Sequence, residues 1–380
     1  MEPVTTPIRT SAAELYLAFE LSASKWKIAF TVGLGQRARL RTIEARDLER
    51  LQIEIEAAKK RFGLPCGVRV VSCYEAGRDG FWLHRALGEM GIENLVVDSA
   101  SIEVKRRRKH AKTDRLDVAK LLEMLVRYHL GETRVWSVVR VPSVEEEDRR
   151  QLNRELATAK KDRNQIVCRI RSLLFTQGIR LGKLERLPEL LAKLRTGDGK
   201  ALPAMLLSRL RREWDRLQFA SGQVDGLEAD RRQLLRQATD AGSRCAAELI
   251  KLRGIGIDGS STLAMEFFSW RKFRNGRQIG GLSGLASTPY QSGDDARDLG
   301  ISKAGNRAVR RIAVELAWSW RRYQPESELS RWYERKFGSG KSRLRRVGIV
   351  ALARKLLIAL WRYLETGVPP AGAVLKTSAI

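Results

Sequence analysis

Two sets of side chains in this sequence are suited to chemistry on phosphate esters. One is a single hydroxyl. Ser292 closes the stretch Gly284-Leu285-Ala286-Ser287-Thr288-Pro289-Tyr290-Gln291-Ser292, and Gly293 after it leaves that hydroxyl sterically open. The glycines and the proline mark a turn-rich loop between two helical patterns. Lys303, Arg307, Arg310 and Arg311 follow within a few helical turns. A hydroxyl beside several cations suits attack on phosphorus, because the cations offset the charge that builds there. The same residues also fit a surface Ser-Gly turn ahead of a basic, solvated helix.

The other set is acidic. Glu20 and Glu75 each end a strand-like run, while Asp114 and Asp117 open a helical pattern. Three residues apart, the two aspartates share one helix face. Like charges on one face are unfavourable unless a cation sits between them. Hard divalent cations take oxygen ligands, and Mg²⁺ does so with few carboxylates and several waters. One or two such ions can flank a scissile phosphate. Asp98, at its own strand end, is a rival ligand. The plainer reading makes Asp114 a first-turn acid and leaves Asp117 merely exposed. Lys105, Arg106, Arg107, Arg108, Lys109 and Lys112 run up to these acids. Such runs are often only solvated, but this position suits contact with a phosphate backbone.

An α/β layer must position the acids. Leu15–Ser22 reads as a buried strand, and Trp26–Val32 alternates with period two across the turn Ala23-Ser24-Lys25. A helix is predicted from Ala45 to Arg61, a strand over Gly67–Glu75, a helix from Gly80 to Met90 and a strand over Asn94–Asp98. Strands interleaved with helices imply a layered α/β domain over residues 1–140, and such sheets place sites at strand C-termini. The helix opened by Asp114 runs to about Tyr128.

Strand signals vanish after Val144. Leucines and isoleucines recur at helical spacing amid Arg, Lys and Glu, with further helices over Leu202–Ala220 and Leu227–Ile250. Residues 141–245 thus read as a helical, coiled-coil connector. Residues 246–380 form a mainly helical C-terminal domain. Leu252-Arg253-Gly254-Ile255-Gly256-Ile257 is its helix-hairpin-helix-like turn, where backbone N–H groups can meet a phosphate. Its Trp and Tyr residues read as core, and the tail from Thr366 to Ile380 reads as disordered. Gly338-Ser339-Gly340-Lys341-Ser342 resembles the end of a nucleotide-binding loop. It lacks the required earlier glycine, having Arg335 there, and follows a helical run rather than a strand.

The totals limit the partners. The formal charge is +27 over 380 residues, which predicts a polyanion, nucleic acid first. No apolar run reaches the ~18 residues of a spanning helix, and no signal-peptide core is visible. Cys66, Cys73, Cys168 and Cys245 lack metal or redox spacing and read as reduced core thiols of a cytoplasmic protein. Three histidines make a His-based zinc site a poor fit.

Together, Glu20, Tyr74-Glu75-Ala76-Gly77 and Lys112-Thr113-Asp114-Arg115-Leu116-Asp117 resemble the DEDD site of RuvC-like transposases. The later Leu282-Ser283-Gly284-Leu285-Ala286, Pro289-Tyr290-Gln291-Ser292-Gly293 and Ile301-Ser302-Lys303-Ala304-Gly305-Asn306-Arg307 resemble the serine-bearing domain of the same proteins. These are the IS110 and IS1111 insertion-sequence transposases, the bridge-RNA-guided recombinases. The resemblance implies an RNase H-like N-terminal domain holding Mg²⁺ at Glu20, Glu75, Asp114 and Asp117. It implies that Ser292 joins covalently to DNA, and that a dimer or tetramer combines the acids of one subunit with the serine of another. It also implies a non-coding guide RNA that pairs with donor and target DNA. The family's first acid is usually Asp; Glu20 reaches about 1.5 Å further. Two other readings stand beside this one. One is a RuvC-type junction nuclease that uses water, with Ser292 inert. The other is a nucleic-acid-binding protein whose acids only support the fold.

Overall fold

The structure, a computed structural model, describes residues 13–102, 114–292 and 295–377. It divides into two compact units, Met1–Val141 and Pro142–Ile380.

In the first unit the order is β1 (Leu15–Leu21), β2 (Lys25–Thr31), β3 (Arg39–Glu44), α1 (Leu48–Arg61), β4 (Val70–Glu75), α2 (Trp82–Glu89), β5 (Glu93–Val97) and α3 (Asp114–His129). The five strands form one sheet in the order β3-β2-β1-β4-β5. β2 is antiparallel to both its neighbours, while β1, β4 and β5 run parallel. β1 is buried on both faces, as its nearly unbroken apolar run requires. Leu15, Leu17 and Phe19 pack with Leu51 and Ile55 of α1 and Leu83 and Leu87 of α2. Tyr16 and Ala18 pack on the opposite face with Val118, Leu121, Leu122 and Leu125 of α3. The sequence gives no sign of β3, because Arg39-Leu40-Arg41-Thr42 has a polar composition. It is an edge strand, and Arg39 is nonetheless buried through an ion pair with Glu54 of α1.

The second unit holds α4 (Val144–Asp148), α5 (Gln151–Phe175), α6 (Leu187–Leu191), α7 (Ala204–Gln237), α8 (Ala241–Ile250), α9 (Ile257–Leu263), α10 (Gly276–Ser283), β6 (Ser287–Ser292), β7 (Asp295–Ile301), α11 (Arg307–Tyr323), α12 (Glu328–Tyr333) and α13 (Ser342–Thr366). α5 and α7 pack antiparallel around Ile170, Leu174, Leu210 and Leu217, tied by Arg169–Glu213 at 3.2 Å and Lys160–Glu228 at 2.8 Å. The break expected between Ala220 and Leu227 does not occur. Gly222 and Gly226 are exposed inside α7, where interhelical packing outweighs their low helix propensity. The chain breaks instead at Ala238 (φ 45°), and Asp240 caps α8 by accepting from the Gly242 and Ser243 amides.

The main core of this unit includes Leu249, Phe267, Ile312, Trp320, Leu352 and Leu356. Trp320 and Tyr363 lie in it, whereas Trp318 is exposed. The loop 338–342 follows a π-helical turn, Glu334–Gly338, and leads into α13, with no strand before it. The tail is not disordered through residue 377. Arg253 N donates to Val374 O at 3.0 Å, Lys376 N to Lys251 O at 2.8 Å, and the buried Gln324 Nε2 to Val374 O at 2.8 Å. A polar composition hid a segment held by its backbone. The four cysteines are free, but only Cys73 is fully buried; Cys66 and Cys168 are exposed, against the expectation of core thiols. Among the described residues no helix is long and apolar enough to cross a membrane.

Candidate active site

Strand register sets the two glutamates level. β1 and β4 pair in parallel from Leu15↔Val70 to Phe19↔Tyr74, so the next residues on each strand are Glu20 and Glu75. Alternation puts both on the face of Tyr16, Ala18, Val71 and Cys73, which is the face α3 covers. α3 runs against the parallel strands. Its C-terminal His129 rests on Tyr16 with ring centroids 5.6 Å apart, and Leu121 O lies 3.9 Å from Cys73 Sγ, near the middle of β4. One further turn brings Asp117 over the strand C-termini, about 6 Å along the axis, while two strand residues carry the chain about 7 Å from Cys73 to Glu75. Glu75 is exposed, and Glu20 and Asp117 are half-buried. Lys27 is the cross-strand neighbour of Glu20. Asp114 is the first residue of α3. Among the described residues, no three His, Cys, Asp or Glu side chains stand close enough together to form a ready metal cluster. Asp98 sits just beyond β5, its amide donating to Ser137 O at 2.9 Å. Lys105, Arg106, Arg107, Arg108, Lys109 and Lys112 lie outside the described residues.

Ser292 is the last residue of β6 and pairs with Asp295, the first of β7. The expected turn-rich loop is therefore a β-hairpin. Alternation was masked by Ser287, Thr288 and Pro289, and a register shift between Ser287 and Pro289 absorbs the proline. The hairpin's base is fixed by the segments either side of it. Ser302 N donates to Ala286 O at 2.8 Å, Lys303 N to Gly284 O at 3.2 Å, and Asn306 N to Leu282 O at 3.1 Å. Such close backbone approach requires glycine. Gly284 (φ 70°) and Gly305 (φ 86°) are left-handed, and a Cβ would overlap the Ala304 carbonyl oxygen at the first and the Leu282 carbonyl oxygen at the second. The two motifs read separately from the sequence are one structural unit.

The four nearby cations divide by role. Lys303 and Arg307 are exposed beside the hairpin base. Arg310 is half-buried and donates to Ser283 O at 3.3 Å and Ala304 O at 3.4 Å, so it braces the glycine contact. Arg311 is exposed and pairs with Glu315 at 2.7 Å.

The sequence of y4rJ from Sinorhizobium fredii, named as a transposase, is 40% identical over 98% of this chain and 97% of its own length. The chain belongs to the IS110 family of insertion-sequence transposases. The Transposase IS116/IS110/IS902 family model matches residues 246–331. A family 20 transposase of Pseudomonas aeruginosa is 28% identical over 79% of the chain and 84% of its own length. The transposase for insertion sequence element IS1328 of Yersinia enterocolitica is 26% identical over 42% of the chain and 46% of its own.

The family-matched segment holds a residue that sequence reading missed. Glu266 is buried in a π-helical turn, Ala264–Phe268. It accepts from Arg154 of α5 (Nε 2.8 Å, Nη2 3.2 Å) and from Asn306 Nδ2 at 3.2 Å. That hydrogen bond raises the Arg154 guanidinium above its usual range. Asn306 also caps α11, accepting from the Ala308 and Val309 amides. Glu266 thereby links α5 to the hairpin base. A lone acid in an apolar run, Met265-Glu266-Phe267-Phe268, was the available signal. In the helix-hairpin-helix-like turn, Gly254 (φ 89°) packs on Tyr323 Cβ and Ser319 Oγ donates to its carbonyl at 2.6 Å, while Gly256 is open.

Proposed function

We propose that this family member is the DNA transposase of an insertion sequence, cutting and rejoining DNA through a covalent Ser292–DNA ester in a Mg²⁺-dependent reaction. The observation that carries the reading is the level placement of Glu20 and Glu75 on one sheet face, under the Asp117-bearing start of α3. The sheet order β3-β2-β1-β4-β5 with β2 reversed supports an RNase H-like fold for this unit. The donors are carboxylate oxygens, which fits a hard divalent cation. Mg²⁺ takes one or two carboxylates directly and keeps waters or substrate oxygens elsewhere, so a cluster of three is not a prerequisite.

Glu20, Glu75, Asp114 and Asp117 would hold the ion. When bound, it supplies Lewis-acid stabilisation of charge on the phosphate oxygens. The Ser292 hydroxyl attacks phosphorus. Its Oγ–P bond forms as the bond to one strand's ribose oxygen breaks, and that strand leaves as a free hydroxyl. The serine proton passes to a carboxylate or water, and the leaving oxygen takes one up. Lys303 and Arg307 offset the negative charge on phosphorus. The serine ester keeps the energy of the broken bond, so a second strand's hydroxyl can displace Ser292 without ATP. The family resemblance alone supports the guide RNA and an oligomer in which the acids of one subunit serve the serine of another.

The test is an end-labelled DNA carrying the element's ends, incubated with protein and Mg²⁺ and resolved under denaturing conditions. A serine-linked DNA adduct should form with wild type and be absent for Ser292→Ala. Continued cutting by Ser292→Ala would favour water as nucleophile and the junction-nuclease reading. Unchanged recombination by Asp117→Ala would favour acids that serve the fold alone.

A further inference from the structure

A cleft of about 880 Å³ opens between the base of the β6–β7 hairpin and α13. That is within the range of small-ligand sites, roughly 300–1,000 Å³. Its floor is apolar, with Leu285, Ile301 and Ile358. Its rim is cationic, with Arg343, Arg354 and Lys355, and among the described residues no acid lines it. Gly280 of α10 lets Arg354 lie across that helix, since a Cβ there would come within 2.8 Å of Arg354 Nε. Trp332 forms a wall. Phe337 packs against its ring in a T-shaped contact, with centroids 5.6 Å apart, and Lys355 Nζ lies 4.7 Å from the ring centre. This combination selects its occupant. An acyl chain would use the floor but at most one cation, and an acidic peptide would use the rim but not the floor. A flat, largely apolar ring on a chain of phosphates uses both.

We infer that this cleft receives an unpaired base of the DNA strand on which Ser292 acts, with Arg343, Arg354 and Lys355 on the flanking phosphates. The inference rests on the DNA-strand reading of the hairpin. DNA is the source because Ser287 and Gly300 of the hairpin form the cleft's edge. Ser292 lies five residues further along β6, about 17 Å away, which a single strand crosses in a few nucleotides.

Fluorescence anisotropy tests it, comparing a labelled single-stranded DNA with the same strand made abasic. Wild type should bind the intact strand about tenfold more tightly, the gain from burying roughly 60 Å² of ring. Val347→Glu puts an acid on the rim at a residue 54% exposed, so the core is untouched. It should remove the preference and weaken binding to both strands. Trp332→Leu should shrink the preference while leaving the salt dependence in place. Equal wild-type affinity for intact and abasic DNA overturns the inference but leaves the DNA reading standing. Binding of neither strand overturns the DNA reading and this inference with it. An RNA of the same sequence competing equally well overturns the assignment to DNA. A preference that survives Val347→Glu and Trp332→Leu overturns the location.

Discussion

In the sheet unit, Glu20 and Glu75 take their places from a ladder. Five consecutive residue pairs between β1 and β4 fix their level, and both faces of β1 are buried, so a slip of one residue would force Leu17 and Phe19 into the face packed around Tyr16 and Ala18. In the helical unit, Ser292 sits at the far end of a hairpin whose foundation is one close backbone contact, Gly284 and Leu282 against Ala304 and Gly305. Acids proposed to share a cation gain from a rigid ladder. A hydroxyl carried at a hairpin tip depends instead on how firmly the base is held, by glycine, Arg310 and the Glu266 link.

If that contrast is right, chemistry and positioning separate by mutation. Ser292→Ala should lower strand joining roughly a thousandfold or more, the scale on which an attacking hydroxyl matters, with DNA affinity within about twofold. Gel quantitation of joined product alongside filter binding checks this. Glu75→Ala and Asp117→Ala should cut Mg²⁺-dependent cleavage by about 10²-fold while the thermal midpoint moves little, because Glu75 is exposed and Asp117 half-exposed. A matching fall in DNA affinity would count against the acids as a reaction site.

Gly284→Ala attacks the hairpin base and should destabilise the helical unit by about 3 kcal/mol, from left-handed strain and carbonyl overlap. Chemical denaturation reads that, and the joining activity should fall with it. Glu266→Ala should cost about 2 kcal/mol by removing an acceptor from Arg154 and Asn306, with Glu266→Gln recovering part of the loss. Arg311→Ala should be the mildest. Its exposed pair with Glu315 is worth under about 0.5 kcal/mol, so only a small drop in DNA affinity and in its salt slope is expected. Arg310→Ala showing the same mildness would contradict its bracing role.

The strands β1, β2, β4 and β5, the acids at their ends and the helix opened by Asp114 were legible because their apolar spacing is itself the cause of the fold. The long basic helices and the failed nucleotide loop were legible for the same local reasons. β3 was not, since its burial depends on Glu54 arriving from α1. Nor were the hairpin around Ser292, the ordered tail and the unbroken α7, whose backbones are satisfied by distant partners. The sequence alone determined which side chains are candidates for phosphate chemistry and which family the chain belongs to. Only the tertiary structure decided that Glu20 and Glu75 are level, that Gly284 and Gly305 form one contact, and that Arg310 braces while Arg311 faces solvent. Those outcomes turn on register and backbone approach between segments far apart in the chain, and no local pattern encodes such distances.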